Sequence, residues 1–422
     1  MSNSRTPKNW TVMVYMAGDN NLDAGGVSDL REMKRVGSSK HVDVIAQLDR
    51  SGSAHPTKRY HLQSFDVHPR LADDEQQPDL GETNTGDPRQ LTEFIRWGID
   101  NFTSDHYLVI IWAHGSGVLD DDIFNSGERG AHSEGRAARQ GTARRGVFRP
   151  IFNTLRPDFV GSGVTSRFLT EMRLIAPDDQ ARDFLDNVEL QQALENVGQK
   201  LDILGMDACL MSMIEVCYQL RETADILVSS QAQEPLEGWP YEMILRRLVD
   251  DPYMKPREFA HVIVEEFVAL YADFEDSSTT LAACDLNQCD ALVKHFGELT
   301  EVLMANADET EVFDAIMLAR YLVKADDVIE SVDLFDYCDL LRMKCKNVKV
   351  RAACNDFLHA FEETRMVFET QPLKGSAQHS HGLAIYFPTS EVSKLYGGLD
   401  INDPRVTRWK EFVDMYVETP GR

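Results

Sequence analysis

Three apolar runs of strand length frame the chain: Thr11–Ala17 (TVMVYMA), Tyr107–Ala113 (YLVIIWA) and Asp202–Met206 (DILGM). Runs that are apolar at successive positions, rather than at alternate ones, belong to strands covered on both faces, as in a parallel sheet between helical layers. Each run ends in turn or helix signals. Gly18-Asp19-Asn20-Asn21 and an amphipathic stretch through Val36 follow the first, and His114-Gly115-Ser116-Gly117 closes the second. Asp207-Ala208-Cys209 closes the third and runs into the helical Met211–Arg221. Val42–Asp49, Arg59–Phe65, Asp225–Ser230 and Leu281–Asp285 are further predicted strands. Apolar residues at helical spacing over Gln90–Phe102 and Val188–Lys200 predict crossover helices. From Asn287 to about Phe368 the pattern is mainly helical, followed by the strand-like Gly382–Pro388 (GLAIYFP) and a last helix near Val406–Val417. The chain therefore reads as an α/β unit with a mainly parallel central sheet over residues 8–286, and a smaller, mainly helical part with one returning strand over 287–422.

The stretch from about residue 118 to 174 breaks this pattern. It has no sustained periodicity, and six arginines and a single acid, Glu134, lie between Arg129 and Arg149. A structureless segment of this length in a compact domain is usually a functional loop or an insertion. Its small, polar residues suit a protease-accessible linker, and its basic charge suits docking on an acidic body. The rest of the chain is acidic, with a net charge of −26 over 422 residues. Such a field disfavours nucleic acid and anionic membranes as partners, and it concentrates cationic peptides or simply serves solubility. Met1–Trp10 is polar and no run approaches the about 18–20 apolar residues of a membrane span. Read with seven scattered cysteines lacking CxxC spacing, this predicts reduced thiols in a cytoplasmic protein.

Two residues stand where chemistry is expected. His114 and Cys209 each follow an apolar strand, and in an open α/β sheet the carboxyl ends of the strands form the ligand crevice. A thiol needs a base, a cationic neighbour or a helix N-terminus to become a strong nucleophile, and His114 would supply the proton handling. Gly115 has no side chain, so its amide is open to a substrate oxygen. With the Cys209 amide it forms a candidate oxyanion hole. The structural alternative is a histidine and a thiol that merely pack, which is how Cys217, Cys284, Cys289, Cys338, Cys345 and Cys354 read.

The same stretches resemble a known family. WTVMVYMAGDNNLD (10–23), YLVIIWAHGSG (107–117) and ILGMDACLMSMIEVCYQL (203–220) are similar to the clostripain-type cysteine peptidases, in the group that includes caspases, gingipains and legumains. The likeness continues through VSSQAQEPLEGWPYEMIL (228–245), TLAACDL (280–286), DLFDYCDLL (333–341) and HGLAIYFP (381–388). The resemblance implies a caspase-like α/β/α sandwich and a cysteine endopeptidase. Its His/Cys dyad maps onto His114 and Cys209, with no third catalytic residue and no cofactor.

Family members typically cleave after Arg or Lys, with acids lining the primary pocket. The resemblance implies Asp207 for one acid and Glu237 for the other, with Glu234 a competitor; alternatively Asp207 caps the helix that begins near Cys209. Substrates would be proteins or peptides with exposed Arg or Lys. Many members are zymogens cut between the His and Cys strands. That scheme makes Arg129, Arg136, Arg139, Arg144 and Arg145 candidate processing sites, cut in cis or by an activating protease. Arg149 and Arg156 are poorer, because proline follows each. Some members depend on calcium, but Asp120-Asp121-Asp122 lacks the ligand spacing of an EF-hand, and His379-Ser380-His381 is too short for a zinc site, so no metal is assigned. The competing readings are a peptidase of this fold with another preference, an amidase for small substrates, and a silent scaffold.

Overall fold

The computed structural model describes residues 7–52, 54–118, 175–272, 279–323, 330–370, 379–393 and 396–419. The first apolar run becomes β1 (Lys8–Gly18), followed by α1 (Asp23–Val36), β2 (Val42–Arg50), β3 (Lys58–His61) and β4 (Glu75–Gln77). Next come α2 (Pro88–Asn101) and β5 (Ser104–Trp112), which carries the second run. A short hairpin of β6 (Ile175–Asp178) and β7 (Asp183–Leu185) leads to α3 (Asn187–Val197) and to β8 (Leu201–Asp207), the third run. The chain continues through α4 (Ile214–Leu220), β9 (Ala224–Ser229), α5 (Tyr241–Asp250), α6 (Pro256–Tyr271) and β10 (Ala282–Asp285).

The period of two explains why the runs are apolar throughout. Val12, Val14 and Met16 of β1 enter one core, while Met13, Tyr15 and Ala17 enter the other. β5 divides in the same way, Leu108, Ile110 and Trp112 against Val109 and Ile111. Leu30 and Met33 of α1 and the apolar faces of α5 and α6 cover the first face; α2, α3 and α4 help cover the second. The sheet order runs β9-β8-β5-β1-β2-β3-β4 from the site outward, with β10 on the far side of β9. The five inner strands from β9 to β2 are parallel, and β10, β3 and β4 are antiparallel additions.

Beyond β10 lie α7 (Cys289–Asn306), α8 (Thr310–Leu322), β11 (Ser331–Asp333), α9 (Leu334–Lys344), α10 (Val348–Thr364), β12 (Val367–Thr370), β13 (Ala384–Tyr386) and α11 (Trp409–Glu418). Three short strands thus stand where the sequence reading has one. β12 joins the edge of the main sheet beside β10, and β11 pairs with β13. Leu292, Phe296, Phe357 and Trp409 share one core with Val109 and Leu204, so the boundary at 286/287 separates neither cores nor sheets. A run of only three or four residues, such as β11 or β12, is too short for periodicity to reveal.

The late segments also brace the turn after β8. Ser212 Oγ donates to Gly382 O at 2.7 Å and Ala384 N donates to Ser212 O at 2.9 Å. One carboxylate oxygen of the buried Glu215 accepts from Tyr386 N at 2.9 Å and from the Tyr396 hydroxyl at 2.8 Å. Glu215→Ala removes that acceptor from two buried donors, which costs about 2–3 kcal/mol. The expected result is a lower urea midpoint at unchanged slope; a loss within about 0.5 kcal/mol would show that the carboxylate does not tie these segments together.

Candidate active site

β5 and β8 are neighbours, with Trp112 opposite Asp207, and Ala113 N donates to Asp207 O at 3.2 Å. Parallel direction therefore sends His114 and Cys209 out of the same edge of the sheet on adjacent chains. Gly115 makes the approach close. A Cβ there would stand 2.5 Å from Cys209 O and 3.1 Å from Cys209 N, so any side chain would push the two turns apart. Gly115 is also bridged antiparallel to Ile175, and Asn187 Nδ2 donates to Gly117 O at 2.9 Å. His114 and Cys209 are almost fully buried, at 2% and 3% exposure.

The turn after β1 supplies a partner that the sequence reading does not assign. Asn21 Oδ1 lies 2.7 Å from His114 Nε2. The amide oxygen can only accept, so Nε2 carries the proton and Nδ1 is the basic nitrogen of the neutral ring. Asn20 shapes this turn: its side chain donates to Ala17 O at 3.0 Å and Pro177 O at 2.9 Å and accepts from Leu22 N at 2.8 Å. The Asn-rich turn is visible in the sequence, but only the adjacency of β1 and β5 shows which side chain it serves.

The Cys209 turn is built by pairing with the segment after β9. Leu210 N donates to Ala232 O at 3.0 Å, Ser212 N to Ser230 O at 2.8 Å, and Glu234 N to Cys209 Sγ at 3.2 Å. Leu210 sits in the left-handed region, at φ 64°, a conformation that a non-glycine residue keeps only when its surroundings hold it. The helix expected from Met211 starts instead at Ile214, so Cys209 does not stand at a helix N-terminus. The donor beside its sulfur is a loop amide, and an N–H aimed at sulfur stabilises the charge of a thiolate.

The later helix start also removes the capping alternative for Asp207. Its buried carboxylate instead accepts the Tyr241 hydroxyl at 2.8 Å and Trp239 N at 3.4 Å. Gly205 makes room for the Trp239 indole against β8, since a Cβ there would come within 2.9 Å of the ring. The two candidate second acids separate clearly. Glu234 is buried beside Cys209, whereas a turn closed by Gly238 N donating to Pro235 O at 3.0 Å throws Glu237 into solvent. Of the two, Glu234 is the one held against the nucleophile, and Glu237 faces solvent. Arg129, Arg136, Arg139, Arg144, Arg145 and the Asp120–Asp122 run lie outside the described residues. Among the described residues no group of three or more His, Cys, Asp or Glu side chains is placed to hold a metal. All seven cysteines carry free thiols.

Carboxylates crowd the same sheet edge. Burial, reinforced by the charges of Asp178, Glu82 and Asp19 and opposed by the Thr57 hydroxyl, pushes the Asp49 carboxyl up to about 8. Burial followed by Asp19 and Asp178 raises Asp179 to about 6. The hairpin carrying Asp178 is docked here, with Thr85 N and Ala181 N donating to the Asp178 carboxylate and Asp179 N donating to Asp19 O.

The sequence profile of the clostripain family, peptidase family C11, matches residues 14–130 and 161–414. The chain belongs to this family. It is a cysteine peptidase by descent. It is 22% identical to clostripain of Hathewaya histolytica, over 98% of this chain and 81% of the relative. A structure of an inactive zymogen C11 protease from Parabacteroides distasonis is similar at TM-score 0.62 and 19% identity, covering 96% of this chain and 99% of the other. A secreted C11 cysteine protease from Bacteroides thetaiotaomicron, in complex with an irreversible peptide inhibitor, is similar at TM-score 0.60 and 18% identity, covering 97% and 99%. These likenesses show the caspase-like C11 fold. The secreted status of that clostripain-family structure overturns the cytoplasmic expectation. Among the described residues no helix is long and apolar enough to cross a membrane.

The elevated Asp49 value carries a sign that can be checked. The unfolded chain releases this proton near the ordinary carboxyl value of 3.8 and the folded chain near 8, so the folded state binds more protons in between and stability falls as pH rises. Asp49→Asn keeps an oxygen for Thr57 and removes the titration. Its melting temperature should match that of the wild type near pH 4 and exceed it progressively toward pH 8; a pH-independent difference would refute the assignment.

Proposed function

We propose that this C11 peptidase is an endopeptidase that cleaves proteins and peptides after Arg, and less readily after Lys, through Cys209 and His114. The observation that carries the reading is the joint arrival of His114 and Cys209 at adjacent strand ends, with two buried acids close by: Asp207, two residues before the thiol in the chain, and Glu234, whose backbone amide donates to the sulfur. Two carboxylates exceed the need of one ammonium group and suit the forked guanidinium.

The steps follow from the donors and acceptors present. Nδ1 of His114 takes the proton of the Cys209 thiol while Asn21 keeps the Nε2 proton in place. The thiolate attacks the scissile carbonyl, and the amides of Gly115 and Cys209 receive the oxyanion. The imidazolium then protonates the departing amine as the C–N bond breaks, leaving a thioester on Cys209. Water, deprotonated by the same imidazole, adds to the thioester and expels the thiolate with the carboxylic acid product. No cofactor enters these steps.

The zymogen reading rests on the arginine-rich stretch between the two strands and on the described state of the similar Parabacteroides chain. Ile175, the first described residue after that stretch, is bridged to Gly115, so a cut upstream of it would be felt at the oxyanion amide. Candidate cuts follow Arg129, Arg136, Arg139, Arg144 and Arg145, made in cis or by an activating protease.

Matched fluorogenic peptides ending in Arg, Lys, Asp or Ala test the specificity with intact and loop-nicked protein. Arg turnover should rise on nicking, vanish in Cys209→Ala, and fall at least about 10-fold in Glu234→Gln but not in Glu237→Gln. Preference for Asp or Ala would discard the acidic pocket, and silence of every sample would discard the peptidase mechanism. Asn21→Ala should lower kcat/KM about 10- to 100-fold with little change in melting temperature. Unchanged kinetics in that variant would remove Asn21 from the site.

A further inference from the structure

We propose that His381 is a positioning residue for the segment 230–234, holding it through Asp333 and Gln231, and that protonation of its imidazole tunes substrate binding. The inference rests on the peptidase reading above. Segment 230–234 touches the nucleophile directly: Ala232 O accepts Leu210 N, and Glu234 N donates to Cys209 Sγ. Its backbone is already secured from the other side, because Thr280 Oγ1 accepts Gln231 N at 3.0 Å and Ala232 N at 3.1 Å. The Gln231 side chain is therefore an additional link, and it leads to a titratable group.

Gln231 is buried. Its Nε2 donates to Asp333 Oδ2 at 3.0 Å, and its Oε1 accepts the Ser380 hydroxyl at 2.5 Å and Gly382 N at 3.0 Å. Asp333, also buried, ends β11 and accepts from every side: Asp336 N at 2.7 Å on Oδ1, His381 N at 2.6 Å on Oδ2, and the His381 ring Nδ1 at 3.0 Å on Oδ1. The ring stacks on Phe335, with centroids 4.4 Å apart and planes at 28°. Its side chain is 38% exposed, so protons reach it from solvent. Three consecutive residues, Ser380, His381 and Gly382, thus grip Gln231 and Asp333 together, and Gly382 O also receives Ser212 Oγ from the nucleophile turn.

The charged groups facing the imidazole are Asp333 and Asp336 from the β11–α9 junction, and the backbone of His379 in its own segment hydrogen-bonds to it. Burial alone would lower the His381 value, but the hydrogen bond and charge of Asp333, followed by Asp336, outweigh it and raise the imidazole above its ordinary value of 6.5. Asp336 is itself raised, by burial and then by the charge of Asp333. For a raised imidazole the added stabilisation is complete below the ordinary value and is lost as pH climbs through the raised one. The network that aligns segment 230–234 should therefore be tightest in mildly acidic solution and loosen in mildly alkaline solution. Because Nδ1–H persists in the neutral ring, the hydrogen bond survives and only the charge is lost.

The test uses the full chain with an Arg fluorogenic peptide. Wild-type KM should rise across about pH 6 to 8.5 beyond any change in kcat. His381→Gln, which keeps a donor for Asp333 and cannot become charged, should hold a KM about 5- to 10-fold higher at pH 6 and flat with pH. A parallel KM–pH profile in the two proteins, or kcat and KM shifting together with a lower melting temperature, overturns the proposal. Hydrogen exchange over 209–212 and 230–234 provides a readout that needs no turnover. Protection, measured relative to the intrinsic exchange rate at each pH, that falls locally as pH rises in the wild type and is low at all pH in His381→Gln supports the proposal. Identical exchange in both overturns it. If the wild type hydrolyses no peptide, the peptidase mechanism fails, and the exchange result still decides the role of His381.

Discussion

The register between β5 and β8 is the constraint on which the rest of the site depends. With Trp112 opposite Asp207, the next residues of both chains leave the sheet side by side, and Gly115 lies against the backbone of Cys209. Side chains alternate between two buried cores along each strand, so slipping one strand by a single residue would exchange Val109 and Ile111 for Leu108 and Ile110 and misplace every packed group. Apolar packing on both faces therefore determines how the imidazole and the thiol are juxtaposed, although none of the packed residues takes part in the chemistry.

Around that register the structure secures a turn that would not hold its shape alone. Leu210 in the left-handed region costs about 1–3 kcal/mol, and the backbone bonds of residues 210 and 212 to residues 232 and 230 offset it. Behind them stand Ser212 with Gly382, Glu215 with Tyr386 and Tyr396, and Gln231 with Asp333 and Ser380. Each of these links joins the Cys209 turn, the helix after it or the segment after β9 to residues after 330. The C-terminal part is in this sense the back wall of the active site, which explains why its core is continuous with that of the sheet.

The inner strands were legible because burial on both faces writes continuous apolar runs, and His114 and Cys209 were legible because they stop those runs. What failed to show was contact between segments distant in sequence. Asn21 lies in a turn that any reader would note, yet its partner is 93 residues away and is revealed only by strand order. Glu234 and Glu237 are equivalent as letters in EPLEGW; the turn at Gly238, with φ 62°, buries one and exposes the other. The helix after Cys209 begins later than the pattern predicts, because Leu210, Met211 and Met213 are apolar at helical spacing while pairing with residues 232 and 230 claims the amides of Leu210 and Ser212. The short strands β11 and β12 carry too few residues for any period to emerge.

Charge ties these features together. A chain at −26 carries a net field that favours cationic over anionic partners. The same sign becomes a liability where carboxylates crowd one another, as at Asp19, Asp49, Asp178 and Asp179. Asp49 and Asp179 resolve the conflict by holding protons well above the usual carboxyl range, so the edge of the sheet next to Asn21 is least repulsive in mildly acidic solution. The His381–Asp333 pair favours the same range for a different reason, since there it is the cation that is lost as pH rises. Both groups of side chains therefore favour mildly acidic pH, whereas an imidazole acting as base at His114 would have to be neutral to accept the thiol proton. The working pH of the enzyme would follow from that opposition, with order favoured on the acid side and proton transfer favoured on the alkaline side.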